Sequence, residues 1–148
     1  PRSVSSAASD VYKRQENTHE LAKGCCKKAT PKTYKNCDLG EFSHVISKDV
    51  FEHIPENELP EILAMLSNLG SSLFSIIPLG IDDTSNKFVI ESYHNDLSHI
   101  TIKSKKWWEN LISNYFPNVI FSEYQFKGCK TVWTNQYANG NLFLYATK

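Results

Sequence analysis

Asp49, Glu52 and His53 lie within five residues of one another in the stretch SKDVFEHIP, residues 47–55. Two carboxylates and an imidazole this close suit three kinds of chemistry. They orient a substrate hydroxyl, accept its proton, or hold a divalent metal. His99 supplies a second imidazole much further along the chain. Histidine titrates near neutral pH, so His53 and His99 are both candidate bases for a hydroxyl or amine nucleophile. Two plainer roles stand beside these: lining of a pocket, and local capping of the helix that follows. Nothing in the sequence supports covalent catalysis.

The elements that must position these groups read as strand, loop, helix, strand. Phe42–Ser47 is a short apolar run without clean alternation, which suits a parallel strand covered on both faces. Asn57 or Glu58 opens a helix with Pro60 in its first turn, where no N–H partner is lost. Leu59, Ile62, Leu63, Leu66 and Leu69 form its apolar stripe, and Gly70 is expected to end it as a left-handed residue. Leu73–Ile77 is a second buried strand, stopped by Pro78. This is one parallel crossover of an open α/β sheet, in which ligands gather at the carboxyl ends of the strands. The three polar residues fall there.

The flanking segments are less regular. Glu16–Ala29 has helical composition, Thr33–Cys37 reads as a short strand, and Asp38-Leu39-Gly40 as a turn. Ser104 caps a helix with the stripe Trp107, Trp108, Leu111, Ile112, Tyr115 and Phe116, which Pro117-Asn118 breaks. The place of Trp107 and Trp108 on that stripe favours core packing over a stacking platform. The lysines of 103–106 read as a solvated helix start rather than a phosphate clamp. Val119–Phe126 and Leu142–Ala146 read as the last strands, with Asn139-Gly140 as a hairpin-type turn between them.

Composition narrows the class. A hydrophobic fraction of 41% with 12% aromatics suits a globular domain. No apolar run approaches the ~18 residues of a membrane span. Cys25, Cys26, Cys37 and Cys129 include no C-x-x-C pair, so free thiols in a cytoplasmic protein are expected, without a structural zinc site. Ser5–Gln15, SSAASDVYKRQ, resembles the translation of a transposase-type sequencing adapter. Residues 1–15 are therefore expected to be disordered and outside the fold. Setting aside Arg2, Lys13 and Arg14 against Asp10 leaves thirteen basic and fifteen acidic residues. No basic face follows, which disfavours nucleic acid as a partner.

DVFEHIPENEL followed by LFSIIPLG resembles the fourth and fifth strands of class I S-adenosylmethionine-dependent methyltransferases. HITIKSKKWWENLISNYF, 99–116, is similar to the family's His-x-Thr approach to the helix before its sixth strand. The resemblance implies an incomplete Rossmann-like, doubly wound α/β sheet ending in an antiparallel hairpin. Residues 16–148 would be a partial methyltransferase domain lacking the first strand and the glycine-rich loop; no G-x-G occurs in the chain. Loss of the first strand would leave Phe42–Ser47 as an unpaired edge.

What the resemblance implies about the site is as follows. Asp49, Glu52, His53 and His99 would be catalytic. Asp38 would meet the adenine of S-adenosylmethionine, Glu16 its ribose, and Ser47 would also line the cofactor. In the related small-RNA 2′-O-methyltransferases, an E-x-x-E-H with a later histidine resembles a metal site. Asp49, Glu52, His53 and His99 would be its counterparts here, against a metal-free reading of the same corner. Tyr93, His94 and Trp133 would flank the substrate mouth. The acceptor would be a small molecule or glycan, methylated at oxygen or nitrogen. Two other classes compete: a non-catalytic α/β binding module that has lost the cofactor loop, and a nucleotide-dependent oxidoreductase, which the D-x-x-E-H-I-P signature argues against.

Overall fold

The structure, a computed structural model, describes Val4–Ser5 and residues 42–124 and 135–148. Its elements are β1 (Val4–Ser5), β2 (Val45–Lys48), α1 (Leu59–Leu69), β3 (Ser72–Pro78), α2 (Lys105–Ser113), β4 (Asn118–Phe121), α3 (Asn135–Asn139) and β5 (Asn141–Thr147). The five strands form one sheet in the order β1-β2-β3-β5-β4. β1, β2 and β3 are parallel, and β5 runs antiparallel to both of its neighbours, β3 and β4. The chain is thus an α/β protein with an open mixed sheet. No helix among the described residues is long and apolar enough to cross a membrane.

Strand alternation decides what each sheet face carries. Val45, Leu73, Ile77, Leu142, Leu144 and Ala146 join the core built with α1 and α2. α1 contributes Leu59, Ile62, Leu63 and Leu66, and α2 contributes Trp108 and Ile112, followed by Phe116. Each large side chain buried this way is worth roughly 1.5–3 kcal/mol. Packing therefore holds α1 in place, since Glu58 at its start makes no side-chain capping bond. The opposite face is aromatic: Phe74 meets Phe121, Phe121 meets Tyr145, and Phe143 meets Tyr124 and Tyr137.

Several expectations are corrected here. Both long helices cover the same sheet face, so among the described residues helical cover of the second face is limited to the five-residue α3, through Tyr137. Asn139-Gly140 is not a tight hairpin turn. It leads from α3 into β5, and β4 and β5 pair across a long connection. Gly70 is extended, with φ −142°, rather than left-handed. Its value is close approach: a Cβ there would lie 2.6 Å from Val45 Cγ2. The strand placed at Phe42–Ser47 starts at Val45, with Phe42 bridged to Gly70. β2 is not an open edge over its first two residues, because Val4–Ser5 pairs with Val45 and Ile46. An open β2 would leave a row of unpaired N–H and C=O groups, and β1 fills part of it.

Candidate functional site

β2 ends at Lys48, and the chain turns sharply at Asp49, whose φ of 51° is unusual for a residue other than glycine. A single tight turn, Phe51–His53, follows. Phe51 is buried and stacks on Trp108 of α2, with ring centroids 6.3 Å apart. That anchor fixes the turn against the core and aims Glu52 inward.

The segment leaving β3 returns over this turn. Ile100 N–H and Thr101 N–H both donate to the Glu52 carbonyl, at 2.9 and 3.0 Å. The buried Thr101 hydroxyl donates to the Ile54 carbonyl at 2.6 Å. Tyr93 and Asn141 exchange side-chain hydrogen bonds at 3.1–3.2 Å, which ties the segment to the start of β5. The result is a corner at the carboxyl ends of β2 and β3, walled by Phe88, Tyr93 and His94.

His99 sits at its centre. Its ring lies 4.7 Å from His53 and 5.3 Å from Phe88 between centroids. His53 Nε2 is 3.6 Å and His99 Nε2 4.0 Å from Glu52 Oε1. Glu52 is wholly buried, and neither of its carboxyl oxygens has a hydrogen-bond partner. Burial pushes its carboxyl up to about 8, and the Asp49 charge adds to the rise. Burial also lowers the His53 imidazole, so that ring is neutral at physiological pH. Burial raises the Tyr93 and Tyr137 phenols, and the Asp49 and Glu52 carboxylates push the same way. Chemically the corner can store a proton on Glu52 and accept one at either imidazole. Glu52, His53 and His99 also offer three converging donors to a metal, all within 4.8 Å.

Of the residues expected to act, these three come together and Asp49 does not join them. Asp49 forms an ion pair with Lys48 and is 41% exposed. Ser47, expected at the cofactor, lies inside the core-facing side of β2 beside Ser75. Alternation places it on the same face as Val45. Asp38, Glu16 and Trp133 fall outside the described residues. Trp108 is fully buried and Trp107 partly so, as core packing requires. Lys103, only 18% exposed and lying over the Trp107 ring, pairs with Glu56 at 2.8 Å, and Lys105 pairs with Glu109 and Glu123, so both cations are held by carboxylates.

Sequence reasoning missed the groups that orient the two imidazoles. His53 Nδ1 meets the Ser98 carbonyl at 3.1 Å and the Ser98 hydroxyl at 2.8 Å. His99 Nδ1 meets the Tyr93 carbonyl at 2.7 Å. Backbone carbonyls carry no signal in a one-letter code. The pair Asp96-x-Ser98 is the one available cue, because a short acid two residues before a serine favours the turn that Asp96 makes with the Ser98 N–H. No family model, curated protein or solved structure matches this chain.

Proposed function

We propose that this chain is the acceptor-side part of an S-adenosylmethionine-dependent methyltransferase. In this reading the corner of Glu52, His53 and His99 receives the hydroxyl or amine of a small-molecule or glycan acceptor. The observation that carries it is the convergence of two imidazole nitrogens on a buried carboxyl at the carboxyl end of a parallel strand. The parallel crossover, completed by a reversed last strand, is the second support. His53 is 14% and His99 10% exposed at the side chain, enough for a nucleophile to reach a ring edge. Leu97 and Ile100, 92% and 55% exposed, give the neighbouring surface an apolar rim. An imidazole that accepts the acceptor's proton raises its nucleophilicity, and the carboxyl beside it holds the proton store.

The described residues do not fit the cofactor itself. Ser47 is enclosed in the core, and the chain contains no G-x-G to let a backbone approach a ligand closely. The same two facts favour a second reading, a non-catalytic α/β binding module that keeps the sheet without the cofactor loop. Calorimetric titration of S-adenosylmethionine into this chain is expected to give no measurable binding. Recovery of the coding sequence upstream then separates the readings. A glycine-rich E/D-x-G-x-G loop before a strand, with cofactor binding by the longer protein, supports the enzyme. An upstream region without the loop, and no binding, sinks it in favour of the module.

A further inference from the structure

The two imidazoles can be assigned their hydrogens by elimination. A carbonyl oxygen only accepts, so the contacts of His53 Nδ1 with Ser98 O and of His99 Nδ1 with Tyr93 O place a hydrogen on each Nδ1. In the neutral rings both Nε2 atoms are then bare lone pairs. These two lone pairs face Glu52 Oε1 at 3.6 and 4.0 Å, beyond hydrogen-bond range, and the carboxylate has no donor of its own. Once Glu52 gives up its proton, three acceptors converge in a covered corner, and neither histidine Nε2 supplies a hydrogen between them. Such a set is satisfied by a proton on Glu52 or by a cation that displaces it, and only a cation engages all three groups at once.

We propose that Glu52, His53 and His99 form a three-ligand site for a first-row divalent transition metal, with zinc the best match. Two imidazoles and one carboxylate favour that class over magnesium or calcium, which take oxygen ligands. Three protein ligands leave a position open, the pattern of catalytic rather than structural zinc. Ligand atoms around tetrahedral zinc stand roughly 3.3 Å apart, and the three here lie within 4.8 Å of one another, so closure by about 1–1.5 Å at most brings them to it. The second layer is already built. Each Nδ1–H is held by a backbone carbonyl, and the Ser98 hydroxyl that also meets His53 donates to Asp96 Oδ1 at 2.5 Å. Asp96 Oδ2, 3.9 Å from His99 Nε2, adds negative charge at the mouth. Asp49 stands outside the group, unlike the four-residue arrangement considered from sequence. This inference goes beyond methyl transfer and does not depend on it: with a metal held, both Nε2 atoms would be occupied, and the open metal position, rather than an imidazole, would activate a bound hydroxyl or amine.

The test uses the full chain with Zn²⁺ or Co²⁺ alone, read by calorimetry, thermal unfolding and the visible spectrum of cobalt. One equivalent is expected to bind and raise the unfolding temperature, with ligand-field bands and no thiolate charge-transfer band. Glu52→Gln and His53→Gln should each weaken binding at least tenfold, while His44→Ala, away from the corner, leaves it unchanged. In the unmutated chain, long-range proton–nitrogen NMR should show zinc shifting two Nε2 resonances with both Nδ1 atoms still protonated, a readout that needs no variant to fold. The proposal fails if no equivalent binds, if cobalt shows a thiolate band, if no histidine Nε2 resonance moves, or if both glutamine variants fold and bind as tightly as the original chain.

Discussion

In the middle of the sheet, Ser47 and Ser75 stand side by side across β2 and β3, buried, with neither hydroxyl hydrogen-bonded. A few residues on, at the end of β2, Glu52 buries both carboxyl oxygens with no hydrogen-bond partner either. The two places share a burial problem and differ in its size. An unpartnered hydroxyl costs on the order of 1–3 kcal/mol and can sit among Val45, Leu73 and Leu144 without changing its ionisation. A carboxylate cannot remain charged there on the same terms, so it must take up a proton or face a cation. Only the corner supplies two imidazole nitrogens and a fixed backbone frame. That contrast, rather than burial alone, marks the corner as functional.

The largest expected effect is the pH response of the ion-free chain. The folded state keeps the Glu52 proton between about pH 4.5 and about 8, a range in which the unfolded chain has released it. The folded state binds more protons there, so stability falls as pH rises through the window, by on the order of 4 kcal/mol in total. The lowered His53 gives an opposing slope below its ordinary value of 6.5. Urea denaturation at a series of pH values should show the fall, and Glu52→Gln should flatten it. Saturating zinc should reverse it, since the metal displaces the proton. A pH-independent midpoint in the unmutated chain would remove the distinction between the two buried sites.

A smaller effect tests the frame around the corner. Thr101→Val removes the hydroxyl bonded to the Ile54 carbonyl while keeping its shape, and is expected to cost about 1–2 kcal/mol in urea denaturation. Zinc affinity should drop with it, because the segment carrying His99 loses an anchor. Smallest of all is Ser75→Ala in the sheet. Its hydroxyl has no partner to lose, so its removal should raise stability by about 1 kcal/mol, the low end of the cost of burying it, and zinc binding should not change.

The periodic parts of the fold were legible in the chain. The stripe Leu59, Ile62, Leu63, Leu66 could be satisfied only by a covered helix, and the apolar run at Leu73–Ile77 only by a covered strand. Ser104 announced its helix because a serine side chain satisfies a free N–H of the first turn, here that of Trp107. The failures were those of local reading against long-range contact. Gly70 suggested a left-handed end, but Val45, a neighbour only in space, requires the missing Cβ. Asn139-Gly140 suggested a hairpin, but the partners of β5 are set by packing in the sheet.

For the site, residue identity told which groups could titrate or ligate: Asp49, Glu52, His53 and His99 are all visible in the string of letters. Three-dimensional packing chose among them. It turned Asp49 out toward Lys48, put Ser47 into the core, and laid residues 98–101 across Glu52 so that two imidazoles meet one carboxyl. A side chain's chemistry is intrinsic and travels with the sequence. Its burial, its pKa and the direction of its lone pairs depend on neighbours distant in the chain, and those exist only once the sheet has closed over them.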